Sequence, residues 1–411
     1  MSGTPQSLVI RNARTLTLAD GPRPRRGEDL RRLAIIPSAD VLIENGRIVG
    51  VFAAGSEKLP ASAREIDARG RVLMPAFIDC HTHACWAGAR IDEWERKLAG
   101  ASYLEILNAG GGIMSTVRAV RAAPQEGLSR SLLARLDEFL QQGTTTVEVK
   151  SGYGLSTRDE LKMLRAIRAA GQEWGGSVIS TALLGHAIDG DAEAFVRTTI
   201  RETLPGVIAE FPGITVDAFC EKSAWSFEDT CALFKAAIAS GCPVRVHADQ
   251  FNALGMTPAA VAMNARSVDH LEASTEADLR VLAASGTIGV GLPICGMHLD
   301  GRYADLRFIV DAGGAVAIAT NCNPGSAPST SMPLAIAAAV RHCGLTPHEA
   351  IAACTVNAAA VLGLQDRGEI APGQRADLIL LKHTDERALA FEVGGNPVDA
   401  VICGGRLIRE N

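Results

Sequence analysis

What this chain lacks removes several classes of function at once. It has no basic excess: 40 Lys and Arg stand against 46 Asp and Glu, for a formal charge of −6, whereas a nucleic-acid partner calls for a basic face. Small-molecule chemistry is expected instead. Its ten cysteines include no C-x-x-C pair, so they read as reduced, small buried hydrophobes rather than a disulfide or zinc framework. No uninterrupted apolar run approaches the ~20 residues needed to cross a bilayer, and the opening MSGTPQSLVIRNAR has no signal-peptide core. The expectation is a cytoplasmic protein with no membrane span and no nucleic-acid partner.

At 411 residues, a prior of about 150 residues per domain suggests two or three units, and one large barrel with a smaller partner also fits. The first stretch reads as short strands, SLVIRNARTLTL and VLIENGRIVGVF, the second turning at Asn45-Gly46, a pair suited to the positive φ of a two-residue hairpin. Between them DGPRPRRGEDLRRL reads as a solvated loop. From Val72 onward, β-branched stretches alternate with helical ones rich in Ala, Leu and Arg. The strand candidates are VLMPAFIDCH, TTTVEVK, SVISTALLGH, ITVDAFCE, CPVRVHAD, SVDHLE, TIGVGLP and AVAIATN. That is the pattern of an α/β fold, a (β/α)8 TIM barrel. Strand character returns in GEIAPGQRADLILLK and DAVICGGRLIREN. We therefore expect a barrel over 76–364 and a flanking β-sandwich domain built from both chain ends, 1–75 plus 365–411. The long first connection, Ala84 to Gln142, holds the run Gly110-Gly111-Gly112, which reads as a loop, with a lid as the alternative.

In such a barrel, chemistry sits where strands end. FIDCHTHACWAGAR puts His81 and His83 on one face of an extended segment, since residues i and i+2 share a face. Nine histidines in 411 positions make an H-x-H pair a chance event only about 0.2 times per chain. His186, His247 and His270 also close expected strands, as do Glu148 with Lys150 and, on the last, Asn321. Three neutral imidazoles, His81, His83 and His247, would leave one divalent ion such as Zn²⁺ with an open position for water, and hydrolysis is the natural reaction. His186 or His270 would supply an oxyanion donor or an acid for a leaving nitrogen.

HTH on strand one, HAD on strand five, DH on strand six and the terminal T-x-x-N-P-G resemble the amidohydrolase superfamily. FIDCHTHACWAGAR, SYLEIL, GGGI, TTTVEVKSGYGL, GHAI, VHADQ, VDHL, LP and NPGS, in that order over nearly the whole chain, resemble its imidazolonepropionase family. The resemblance implies cytosolic hydrolysis of 4-imidazolone-5-propanoate, a small anionic imidazolone, to N-formimidoyl-L-glutamate in histidine degradation, by a homodimer using zinc or iron. Its metal ligands would be His81, His83 and His247, with Asn321 standing where the family has aspartate. Arg90 would hold the propanoate, a task suited to a guanidinium fork. Tyr153 and His186 would contact the ring, assisted by Tyr103, and Asn323, Gly325 and Ser326 the product. Gln250, a position of glutamate or glutamine in the family, would orient the water or the ring nitrogen, and His270 is the remaining candidate base beside Asn321.

Two rival readings remain open from the sequence. An aminohydrolase acting on a nucleobase would carry a glutamate shortly after His247, where this chain reads HADQFN. A catalytically silent protein that binds the imidazolone is kept open by Asn321.

Overall fold

The computed structural model describes residues 7–100, 111–222 and 224–410. Five early strands, β1 (Ser7–Leu16), β2 (Ile35–Glu44), β3 (Arg47–Ala53), β4 (Arg64–Asp67) and β5 (Val72–Pro75), belong to one sheet. Asn45 and Gly46, at φ 51° and 80°, make the β2–β3 turn in the left-handed conformation that asparagine and glycine tolerate.

Eight strands then form a second sheet: β6 (Phe77–Asp79), β7 (Thr144–Lys150), β8 (Ser177–Gly185), β9 (Thr215–Cys220), β10 (Val244–Ala248), β11 (Ser267–His270), β12 (Ile288–Gly291) and β13 (Val316–Ile318). They pair in sequence order and every pairing is parallel. The eight expected strands are all present. Most of their residues are buried, which is why they read as continuous rather than alternating apolar runs.

The chain returns to the first sheet with β14 (Leu378–Leu381), β15 (Val398–Cys403) and β16 (Arg406–Glu410). The path β16-β15-β14-β5-β1-β2-β3, with β4 beside β1, joins the two chain ends, and its central contact is antiparallel β5–β14, Ile379 opposite Met74. Ile10, Ile43, Leu73, Leu378, Leu380 and Ile402 pack into a core of their own.

One expected strand is two. VLMPAFIDCH divides at Pro75-Ala76, sending Val72–Pro75 to the first sheet and Phe77–Asp79 to the barrel. Pro75 has no N–H to continue a ladder, and the N–H of Ala76 is taken by the carbonyl of Asp377 at 2.9 Å.

Between β13 and β6 the barrel is closed by bonds just beyond the strands. Thr320 donates its hydroxyl to Asp79 at 2.5 Å, Asn321 donates its N–H to the His81 carbonyl at 3.1 Å, and His83 to that of Cys322 at 2.9 Å. The segments carrying the candidate ligands are thus part of the seam.

Candidate active site

All the strands of the barrel run the same way, so their C-terminal ends share one rim. His81 and His83 follow β6, Lys150 ends β7, His186 follows β8, His247 lies in β10, His270 ends β11 and Asn321 lies three residues past β13. Their rings converge: His81 and His247 are 4.4 Å apart between centroids, His83 and His247 5.2 Å, His83 and His186 5.1 Å, and His247 and His270 5.6 Å. The rim also stores strain. Asp249, His270, Leu271 and Asn321 all adopt positive φ, which is unusual for residues other than glycine and gathers at functional sites.

The layer beneath decides which nitrogen of His81 and of His247 faces the cavity. His81 donates Nδ1–H to Asp269 at 2.5 Å and His247 to Asp217 at 3.1 Å. A carboxylate can only accept, so each ring keeps its Nε2 lone pair free for the rim. Asp217 is held in turn by Lys150 at 2.9 Å, Lys150 by Glu148 at 2.7 Å, and Arg245 bridges Glu148 and Asp269. This wholly buried network of three carboxylates and two cations fixes the His81 and His247 rings before any metal arrives. Burial, reinforced by neighbouring positive groups, pushes His81, His83 and His247 well below the usual histidine range, and so keeps them neutral.

These residues fit one divalent ion. The ligating atoms of His81, His83 and His247 lie within 4.8 Å of one another. His81 Nε2 and Asn321 Oδ1 are buried without a hydrogen-bond partner, and Nε2 of His83 faces Nε2 of His247 at 3.2 Å. A cation among these lone pairs would satisfy all of them.

His186 donates Nδ1–H to the Gly152 carbonyl at 2.9 Å, and burial lowers its pKa to about 4. In the neutral ring its Nε2 is therefore an acceptor, an arrangement that suits a substrate N–H better than the oxyanion-donor or acid role expected of it. Tyr153 lies 5.0 Å from it between centroids. The SGYG loop is shaped by Glu160, whose buried carboxylate accepts the N–H groups of Gly152, Gly154 and Leu155.

The Asn323-Pro324-Gly325-Ser326 turn is closed by its own hydrogen bonds. Asn323 Oδ1 accepts from the N–H groups of Gly325 and Ser326, each at 2.8 Å, while its Nδ2 donates to the Asn321 carbonyl and to Ser326 Oγ. Its amide is fully taken up within the turn, so the Asn323 side chain holds the turn's shape in this ligand-free structure. Gly325 has a plain reason to be glycine: a Cβ there would strike the Arg90 guanidinium. Arg90 also pairs with Glu93 at 2.8 Å. Gln250 is buried and donates to Cys295 Sγ at 3.5 Å. Tyr103, SYLEIL and Gly110 lie outside the described residues.

Sequence reasoning assigned no role to Asp217, Asp269, Arg245 or Glu272. Strand register held the signal for the first three, because Asp217 and Asp269 stand on the strands flanking His247 and pair across with Arg245 and His247 respectively. Glu272, two residues after His270, accepts that ring's Nδ1–H at 3.1 Å, an arrangement that needs the positive φ of His270 and Leu271 and is invisible in sequence.

The profile of the amidohydrolase family matches residues 72–408. An imidazolonepropionase from Deinococcus radiodurans is 46% identical, covering 93% of this chain and 95% of that one. The imidazolonepropionase of Deinococcus deserti is 44% identical, covering 92% and 94%. Among solved structures, a triazine hydrolase variant superposes with a TM-score of 0.77 at 19% identity, covering 98% of this chain and 95% of that one, a likeness of fold.

Proposed function

The chain belongs to the amidohydrolase family, beside its imidazolonepropionases, and from that premise we propose that it hydrolyses the cyclic amide of 4-imidazolone-5-propanoate to N-formimidoyl-L-glutamate, a step of histidine degradation. The observation that carries this reading is the buried three-imidazole cluster with its lone pairs turned inward and a guanidinium, Arg90, on the Gly325 turn.

Members of this family are metal-dependent, and one zinc or iron ion on His81, His83 and His247, with the side-chain Oδ1 of Asn321 as a weaker fourth donor, suits these imidazoles. When bound, such an ion acidifies water and polarises a carbonyl. The protein's own groups do the rest. Arg90 grips the propanoate and fixes the ring by its tail. Tyr153 packs against the ring, and His186 Nε2 accepts a ring N–H. Gln250 orients the attacking water or the ring nitrogen. His270, its Nδ1 held by Glu272, presents Nε2 to take the proton of that water and return it to the nitrogen as the ring C–N bond breaks.

Reduced thiols support a cytoplasmic location: all ten cysteines are free. The homodimer, and the division into a barrel at 76–364 and a composite unit at 1–75 plus 365–411, belong to the same reading. No helix among the described residues is long and apolar enough to cross a membrane. The test is loss of imidazolone absorbance on adding metal-loaded protein. No turnover above the uncatalysed rate would refute the assignment.

A further inference from the structure

Beside the three-imidazole cluster lies a group of different composition. One ligating atom each of His270, Glu272 and Cys295 fall within 4.8 Å of one another. The three are brought together only by the fold: His270 ends β11, Glu272 follows it, and Cys295 comes from the helix Pro293–His298 beyond β12.

We propose that His270, Glu272 and Cys295 form a second cation site, one that takes a thiophilic divalent ion. An imidazole nitrogen, a carboxylate oxygen and a sulfur are the mixed donors that zinc and cadmium accept.

Three further observations point to a cation here. The Glu272 side chain is only 5% exposed, yet among the described residues it pairs with no Lys or Arg, His270 being its one partner. A carboxylate so enclosed is normally balanced by a positive charge. Two successive left-handed residues, His270 at φ 86° and Leu271 at 76°, turn the chain so that the ring and the carboxylate meet, a conformation that persists only where the surroundings impose it. Gln250 Nε2 donates weakly to the Cys295 sulfur at 3.5 Å, so the sulfur already acts as an acceptor, as a metal ligand must.

Burial pushes the Cys295 thiol well above its ordinary range, so it stays protonated and unreactive until an ion arrives. Binding forms an S–metal bond and releases the thiol proton to solvent, with no change of oxidation state. Because His270 and Gln250 both serve the hydrolytic reading, occupation of this site by excess metal slows hydrolysis.

Cation binding without substrate tests the site, and the result does not depend on which reaction the enzyme performs. The metal-stripped full chain, kept reduced, is titrated with Cd²⁺ alone while stoichiometry and the ultraviolet thiolate-to-cadmium absorption are followed. Two ions per chain are expected, one of them raising the absorption. Cys295→Ser should remove that absorption and one ion, whereas His83→Ala should remove the other ion and leave the absorption. Glu272→Gln, which keeps every thiol, should weaken the absorbing event roughly tenfold or more, and it decides the matter alone if Cys295→Ser does not fold. A single ion per chain in the unaltered protein, absorption that persists in Cys295→Ser, or an unchanged affinity in Glu272→Gln overturns the proposal.

Discussion

Replacing Asn321 by aspartate tests the metal centre through a change of sign. Asn321 is 2% exposed, its Oδ1 has no partner, and its φ of 58° suits aspartate as well as asparagine, so the substitution alters charge and little else. Without metal, the new carboxylate faces neutral imidazoles, and a buried acceptor left unpaired costs about 1–3 kcal/mol, more if charged. With a divalent ion the balance reverses. At ~4 Å and an effective dielectric of ~20, a pair of unit charges is worth about 4 kcal/mol and a dication about 8, and desolvating the carboxylate takes back several of those. A net gain of about 3 to 4 kcal/mol corresponds to metal binding about 10²- to 10³-fold tighter. Thermal unfolding should therefore show the Asn321→Asp protein melting below its parent in chelator and above it in saturating zinc. An aspartate beside the metal would take over the water's proton from the more distant His270, so kcat should rise by at least ~10²-fold. Melting shifts of the same sign with and without zinc would refute the placement of Asn321 at the metal.

Arg90→Ala should raise KM for the imidazolone far more than it lowers kcat, because the guanidinium holds the substrate's tail away from the scissile carbonyl; steady-state kinetics with an unchanged KM would place Arg90 outside the site. Gly325→Ala probes the same contact from the other side: its Cβ displaces only the flexible end of Arg90, so a several-fold higher KM with an almost unaltered melting temperature is expected. Asp217→Asn takes the charged acceptor from His247 Nδ1 and one of the two partners of Lys150; metal retained on dialysis should fall ~10- to 100-fold in affinity. Away from the site, burial raises the Glu386 carboxyl, but hydrogen bonds from His348 and Arg14 outweigh that and bring it to about 2. Its folded pKa lies below the unfolded value, so its contribution is complete above about pH 4.5 and fades as pH falls toward 2. Glu386→Gln should lose about 1 to 2 kcal/mol at neutral pH, after allowance for screening, and converge with its parent in urea melts at the acid end.

The sequence by itself determined the barrel and the ring of histidines. Strand after strand is apolar and β-branched, bounded by helical stretches, and period-two geometry sets His81 and His83 side by side; these are local properties, carried by neighbouring residues. Asn45-Gly46 is equally local, since the turn needs nothing but two residues tolerant of positive φ. Tertiary structure alone decided the rest. The tautomers of His81 and His247 follow from Asp269 and Asp217, the first reaching His81 from the far side of the barrel and the second reaching His247 from the neighbouring strand. The Pro75-Ala76 break depends on Asp377, a residue from the other end of the chain. Whether Asn323 meets a ligand or ties its own turn depends on hydrogen bonds that exist only once the turn is folded. The gathering of Glu272 with Cys295 rests on two strained dihedrals and a helix from a later strand. A hydrophobic pattern repeats and can be read along the chain, whereas a hydrogen bond between distant residues leaves no period in the sequence: its partners share a position in space, and only the closed barrel supplies it.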